Sequence, residues 1–415
     1  MYGTLALSHR ALDDLAEAAG RDTIDELRRM ARPLEGLRVL NLSVTGFGTG
    51  TAELLTSSVP LLNDLGLDVH WQVVRASEDA AAVSRAMYQA LGGSPVQWTH
   101  EMTDTWLRYA SMNADLLTEA FDVIVVHDPQ PLAIRSYSAT NQAARWIAHS
   151  HLDLSSAQDD VWMLLREHVE KYDAAIFDAP TFARGDISIP THIVPPAIDP
   201  NSPRNMPLPD DLVRSVLEQY GINPDRPLIC QVTPCDAACD LVGVYETWRL
   251  VQERHPDVQL LIVLFTEPQD SNARACFDEL VRLSLADPDA FVVTPGNEIG
   301  NVEINVFQTA ASVVLQKGLR KGYGMWISDA LWKRRPCVVA PAPGLQEQVI
   351  HGKTGAVART TEEFAAEVSR LLENRDLAAE YGENGRRHVA ERFLITRYLR
   401  DYLSILDQLH RKSDG

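Results

Sequence analysis

Basic residues are in short supply in this 415-residue chain: 38 Lys and Arg stand against 57 Asp and Glu, for a net charge of −19. A deficit of that size argues against broad binding to nucleic acid or to an anionic membrane, since both need basic surfaces. It does not exclude a local basic pocket. Long apolar runs are also missing. None reaches the roughly 18–20 residues that span a bilayer, and the N-terminus, MYGTLALSHRALDDLAEAAG, carries acids early and has no secretory h-region. A cytoplasmic location is expected. No short repeat and no low-complexity segment appears.

Cysteine is sparse as well, with five in the chain. Cys230, Cys235 and Cys239 fall within ten residues, with Asp236 and Asp240 between and beside them. The spacing is not that of a standard zinc pair and no fourth ligand stands nearby, so reduced structural thiols are expected and no metal is assigned. No cofactor is assigned either.

What the chain does contain is ordinary globular material, 45% hydrophobic and 23% charged, in a length that calls for two or more domains. Residues 1–32 read as helix, with Leu12, Leu15 and Ala19 on one face and Ile24, Leu27 and Met30 following. Leu37–Leu42 is the first strand. It runs into a glycine loop, VTGFGTGTAE, and then a helix through Leu54, Leu55, Val59, Leu61 and Leu62 that ends at Gly66. Val69–Val74 completes a βαβ unit. In open parallel sheets, ligands sit at the carboxyl ends of such strands.

Two more strands carry polar residues at that end. Val123–Val126 is continuously apolar, as buried parallel strands are, and ends in His127-Asp128-Pro129-Gln130-Pro131. Ala144–Ala148 ends in His149-Ser150-His151-Leu152-Asp153. Singly, each histidine reads as a loop residue or cap; two clusters after two strands point to a site. A helix at 161–172 and strands at 174–177 and 191–194 lead to Pro195-Pro196-Ala197-Ile198-Asp199-Pro200, an extended linker that marks a domain boundary.

The pattern then restarts. Strands are expected at 228–232, 258–265, 291–293, 312–315 and 336–340, with a loop at 233–240 and a helix through Val244, Trp248 and Val251. After the strand at 312–315 comes a loop with Gly318, Gly322 and Gly324, then helical spacing through Trp326, Ile327, Ala330 and Leu331. A strand, a glycine loop and a helix N-terminus together favour an anion such as phosphate, although plain βα turns look the same. A helix at 361–372, a break at Gly382 and Gly385 and a last helix near 394–409 close the chain. The expected fold class is α/β, two Rossmann-like domains facing across a cleft.

Several segments make a resemblance specific. They are GTGTAELL at 48–55, VVHDPQP at 125–131, HLDLS at 151–155, VEKYDAAIF at 169–177, PPAIDP at 195–200, NVFQTAASVVLQ at 305–316, LQKGLRKGYGMWISDALWKRRP at 315–336 and GLQEQVIHGKTG at 344–355. Over residues 37–409 the chain resembles retaining GT-B glycosyltransferases, and among them the trehalose glycosyltransferring synthases. The resemblance implies an acceptor-side domain, 1–197, joined by a C-terminal helix, 390–415, that crosses back, and a donor-side domain, 198–389. Residues 46–50, 127–131, 149–153, 233–240 and 318–329 would line the cleft between them. It implies a nucleotide sugar or sugar phosphate donor and a small sugar acceptor, with no nucleic acid, no membrane and a homodimer left open. Donor binding would fall to Gly48, Gly50, His151, Lys321, Gly322, Tyr323, Gly324 and Asp329, and acceptor binding to His127, Asp128, Gln130 and Asp153. No catalytic residue is assigned.

The chain departs from the family where the family grips the donor. The diphosphate-binding Arg and Lys are Pro234 and Cys239 here, the sugar-binding Glu is Lys321 and the ribose-binding Glu is Asp329. The family's triple-glycine loop is Gly48-Thr49-Gly50. Two charge-assisted contacts contribute about 3–6 kcal/mol together, and the leaving diphosphate gains charge in the transition state, so their loss bears on rate as well as binding. Lys321 either removes a sugar contact or brings a replacement cation, with Lys317 and Arg320 close in sequence. Two alternatives therefore stay open: a catalytically impaired sugar- or partner-binding relative, and an enzyme using another donor, such as a sugar phosphate or pseudo-sugar. The sugar, the nucleotide and the oligomer are not named by the sequence.

Overall fold

A computed structural model describes residues 3–5, 7–268, 271–297, 299–318 and 322–411. The chain divides into two compact units. The first is Met1–Ala197, Lys321–Tyr323 and Ile395–Gly415; the second is Ile198–Arg320 and Gly324–Leu394.

The first unit is built on a seven-stranded sheet. Its strands are β1 (Gly3–Thr4), β2 (Arg38–Ser43), β3 (Asp68–Val73), β4 (Val123–His127), β5 (Arg145–Ser150), β6 (Ala174–Phe177) and β7 (Thr191–Ile193). They lie in the order β1-β3-β2-β4-β5-β6-β7, parallel except for β1. Every residue of β4 and β6 is buried, as expected of strands covered on both faces. One side of the core is closed by the helix Ile395–Arg411, whose Tyr398, Leu399, Leu403 and Leu406 pack with Leu27, Leu54 and Leu61.

The second unit repeats the plan with β8 (Leu228–Thr233), β9 (Gln259–Leu264), β10 (Ala290–Val293), β11 (Val313–Gln316), β12 (Cys337–Val339) and β13 (Gly355–Val357). The order is β10-β9-β8-β11-β12-β13, all parallel. This is the two-domain α/β GT-B fold. Strand β13 has no counterpart in the sequence reading: Gly-Ala-Val is too short to show a pattern. It pairs so closely with β12 that a Cβ on Gly355 would lie 2.4 Å from the Cys337 carbonyl oxygen.

Two other expectations need correction. The first 32 residues are not one helix. Gly20, at φ 85°, separates a short turn of helix ending at Ala19 from the helix Arg21–Ala31. Conversely, Gly382 and Gly385 do not break a helix: both sit inside the continuous helix Arg375–Arg392. They are glycine because of what they touch. A Cβ at Gly382 would lie 2.2 Å from the Arg334 carbonyl oxygen, and one at Gly385 would lie 2.7 Å from Leu331 Cδ2. The glycines let this helix pack against Trp326–Trp332. Among the described residues, no helix is long and apolar enough to cross a membrane.

Candidate active site

The polar side chains of the first unit converge because of strand register. β4 and β5 pair in parallel with His127 opposite His149. The chain then turns at Asp128, whose φ of 67° is left-handed, a conformation that aspartate tolerates better than most residues. The Asp128 amide donates to the His149 carbonyl at 2.8 Å. Its carboxylate accepts from the His151 amide (3.3 Å) and from Thr51 Oγ1 (3.2 Å). One residue past the end of β6 stands Asp178.

His151 is the hub. Its Nδ1 lies 3.0 Å from Asp178 Oδ1, and its Nε2 lies 3.1 Å from His127 Nδ1. His127 is fully buried, with its Nε2 3.0 Å from Asn41 Oδ1. His149 is 1% exposed, and neither of its ring nitrogens has a hydrogen-bond partner; the Asp178 carboxylate is 3.6 Å away. Burial works against charge on all three rings. At His151, the charge and hydrogen bond of Asp178, with the charge of Asp128, outweigh burial and raise the pKa to about 9. At His149 burial wins, with the charge of His151 adding to it, and the pKa falls to about 4. His127 is pushed well below the usual histidine range by burial and by the two neighbouring rings. Burial raises the Asp128 carboxyl. Asp178 is held low despite burial, chiefly by the charge on His151. The arrangement is one imidazolium locked between carboxylates, with two neutral rings behind it.

The predicted acceptor residues therefore separate. Asp128 and His151 share a hydrogen bond, and Gln130 lies nearby in sequence with Oε1 buried and unpartnered. His127 does not reach outward: both of its nitrogens are engaged, so the expectation of a direct sugar contact is corrected to support of His151. Asp153 is half-buried and caps its own turn by accepting from the Ser155 amide at 2.9 Å. Gly48 and Gly50 lie exposed at the start of the helix Gly50–Asp64, which Thr49 caps by accepting from the Ala52 amide. Gly48 has a φ of 71°, and neither glycine's Cβ would meet an atom within 4 Å, so backbone N–H groups there are open to a ligand.

Two partners escaped the sequence reading, Asn41 and Asp178; His149 stands in the polar cluster after β5 but has no role of its own in that reading. Asp178 carried the same signal as the others, an acid directly after an apolar strand, Ala174–Phe177.

In the second unit the loop 234–240 follows β8. Pro234 opens it, and Cys239 is buried at 2% exposure within the apolar core, where burial raises its thiol to about 12. Neither residue offers charge. Gly318, after β11, packs against this loop: a Cβ there would lie 2.2 Å from the Ala238 carbonyl oxygen. Lys317 pairs with Asp240, and Asp240 in turn caps the helix Leu241–Gln252 by accepting from the Gly243 amide at 3.3 Å. Lys321 and Arg320 lie outside the described residues. Gly322 and Gly324 have φ of 85° and 76°, where a side chain would be strained; Tyr323 is buried. Asp329 is not free to take a ribose hydroxyl. It is 2% exposed, its Oδ1 accepts from Asn205 at 2.8 Å, and Arg204 approaches Oδ2 at 3.7 Å. That expectation is corrected: Asp329 holds the chain around residue 205. Beside it, burial lowers Lys333 to about 7 against the pull of Asp329.

All five thiols are free. Among the described residues, the side chains placed to ligate a metal are His127, His149 and His151, whose ligand atoms lie within 4.8 Å of one another.

Comparison with known proteins fits this geometry. Residues 41–184 match the family described as "Trehalose synthase, N-terminal domain", and residues 214–388 match "Glycosyl transferases group 1". A trehalose synthase of Rubrobacter xylanophilus is 34% identical over 97% of this chain and 97% of its own. The chain belongs to the trehalose synthase family. A trehalose synthase of Thermococcus litoralis is 32% identical over 96% of this chain and 97% of its own. Among solved structures, a trehalose-6-phosphate synthase superposes with a TM-score of 0.71 at 14% identity, covering 89% of this chain and 99% of that one. A similar structure from E. coli is bound with UDP-2-fluoro glucose. The chain is thus a glycosyltransferase-type relative of trehalose synthase, and its histidine cluster falls within the segment matched by the N-terminal family description.

Proposed function

We propose that this protein transfers a hexosyl group from a nucleotide sugar to a small sugar acceptor with retention of configuration. The observation that carries this reading is the Asp128–His151–Asp178 constellation at the carboxyl ends of β4, β5 and β6, in a chain of the trehalose synthase family. In this reading residues 1–197 with the C-terminal helix form the acceptor side and residues 198–389 the donor side. Asp178 holds the His151 ring at Nδ1, and on sugar binding the Nε2–H passes from His127 to a hydroxyl of the transferred sugar; Asp128, Gln130 and Asp153 serve the acceptor, and the glycine-bearing turns at 48–50 and 322–324 accommodate phosphate. A charged donor and a pre-oriented cation suit each other because fixed dipoles need no reorganisation as the leaving group gains charge.

A second reading has its own support. With Pro234 and Cys239 in place of cations, the 234–240 loop has no side-chain grip for a second phosphate and suits a donor with one phosphate, such as a sugar phosphate. Isothermal titration against UDP-glucose, ADP-glucose, glucose 1-phosphate and glucose separates the two. The first reading expects heat from a nucleotide sugar and, with glucose added, a disaccharide whose α configuration is visible by NMR. Heat from glucose 1-phosphate alone favours the second. Absence of heat from every donor, under conditions where a trehalose synthase binds, removes both and leaves a non-catalytic relative.

A further inference from the structure

An exposed apolar side chain carries little information by itself; Phe47 is set apart by the backbone beneath it. Phe47 is 84% exposed, on the loop between β2 and the helix Gly50–Asp64. That loop is tied to the core. Nε1 of the buried Trp71 donates to Ser43 Oγ at 2.8 Å, Ser43 Oγ donates to the Thr45 carbonyl at 2.9 Å, and Thr45 Oγ1 donates to the Phe47 carbonyl at 3.1 Å. Gly46 packs so closely that a Cβ there would lie 2.7 Å from Leu5 Cδ1 and 3.4 Å from Val73 Cγ2. The loop also borders the candidate site. β2 pairs with β4, Leu42 opposite Val126, so the loops after these strands leave the same end of the sheet side by side. Just past Phe47, Thr51 Oγ1 donates to the Asp128 carboxylate at 3.2 Å. An anchored stem thus holds a phenyl ring in solvent beside Asp128 and forgoes the stabilisation that burying the ring would bring.

We propose that Phe47 is a specificity-determining residue, whose ring lies against a C–H face of the acceptor sugar and selects a pyranose with equatorial ring hydroxyls. In such a sugar the hydroxyls radiate around the edge, where Asp128, Gln130 and Asp153 serve them. The axial hydrogens leave both faces apolar, and a flat aromatic ring covers such a face with many dispersion contacts while removing it from water. An axial hydroxyl, as in galactose or mannose, puts an oxygen on one face of the ring. Pressed against phenyl, that oxygen loses water and gains no hydrogen bond, which is costly. A phenyl ring also has few rotamers to lose on contact, and its stem is already fixed by Ser43 and Thr45. This inference rests on the glycosyl-transfer reading for which sugar is the acceptor, and it adds the configuration of that sugar.

The test is saturation-transfer NMR of glucose, galactose and mannose with the full chain in the presence of UDP, where no transfer can occur. The parent is expected to bind glucose most tightly, with saturation strongest on the axial hydrogens of one face. Phe47→Ala is expected to weaken glucose binding about tenfold, to narrow the preference over galactose and mannose by a similar factor, and to leave UDP-glucose affinity unchanged. Phe47→Trp should keep the preference, and Phe47→Leu, bulky but not flat, should behave like Phe47→Ala. Because Phe47 is exposed, all three variants should melt with the parent. A Phe47→Ala or Phe47→Leu variant that binds glucose as the parent does overturns the proposal, as does a parent that takes the three sugars equally or takes none. The transfer reading fails separately, when UDP-glucose and glucose yield no disaccharide although glucose binds. Transfer that proceeds with Phe47→Ala at the parent's glucose affinity and preference sinks the Phe47 inference alone.

Discussion

The two sheets meet the same demand, polar chemistry at the carboxyl ends of parallel strands, in opposite ways. In the first unit, the ends of β4, β5 and β6 carry His127, Asp128, His151 and Asp178, each oriented by another. In the second unit, the end of β8 leads to Pro234 and a buried Cys239, and the cation beside that loop, Lys317, is already neutralised by Asp240. The first set is a network whose members lose their meaning singly. The second is a loop that closes on itself, with Gly318 against Ala238 and Lys317 against Asp240.

The largest effect should come from breaking the network. Asp178→Asn leaves the His151 imidazolium without its counter-charge in a buried site, and removing one partner of a buried pair is expected to cost about 3–5 kcal/mol. Urea unfolding measures it. A loss under 1 kcal/mol would mean that the charges are better solvated than the 3% exposure of the Asp178 side chain implies. Next comes the packed loop of the second unit. Gly318→Ala drives a Cβ into a backbone oxygen, which cannot swing away as a side chain could. A loss of up to about 3 kcal/mol is expected, while Gly50→Ala, with open space around it, should cost well under half as much.

These contrasts also show what the sequence revealed. Buried parallel strands were legible because runs such as VIVV and LLIVL have no polar residue to spare. Polar residues after β4 and β5 stood out for the same reason. Convergence was not legible. His127 and His149 are 22 positions apart, and only the β4–β5 register sets them side by side. Glycine misled in both directions. Gly382 and Gly385 read as a break because glycine lowers helix propensity, yet they answer to Leu331 on a neighbouring helix and Arg334 in the turn after it, contacts no local pattern records. Gly318 read as room for a ligand and is filled by the protein's own backbone.

A histidine of the first unit outside the network sharpens the contrast through pH. His168 bonds Ser136 at 2.7 Å and stands edge-on to Trp106; burial, with the nearby charge of Lys171, lowers its pKa to about 4. The unfolded chain takes up this proton near pH 6.5 and the folded one only near 4, so the unfolded state binds more protons between those values. Stability from this residue is fully present above pH 6.5 and is lost as pH falls toward 4, on the order of 2 kcal/mol. His168→Phe should flatten that part of the stability profile. An unchanged slope from pH 6.5 to 4 would place the titration elsewhere.

The smallest effect tests whether the self-neutralised loop is what separates the second unit from a donor-gripping one. Asp240→Asn is well suited to ask. Asp240 has a φ of 48°, and asparagine accepts the left-handed region as readily. Its side chain caps the helix Leu241–Gln252 by accepting from the Gly243 amide, which an asparagine oxygen does equally well. Backbone and cap are thus kept, and only the charge facing Lys317 is removed. The Asp240 side chain is 48% exposed but that of Lys317 only 7%, so leaving the ammonium unpaired should cost about 1–2 kcal/mol of stability. The freed ammonium then stands near a helix N-terminus, where an anion is favoured by about 0.3–1 kcal/mol. Under the glycosyl-transfer reading, UDP or pyrophosphate should bind roughly three- to fivefold more tightly than to the parent. The gain should fade at high salt, as screened charge effects do, and should vanish in Asp240→Asn with Lys317→Met. Equal affinities in the parent and Asp240→Asn would mean that Lys317 never faces the donor phosphates, and that the second unit binds its ligand through backbone alone.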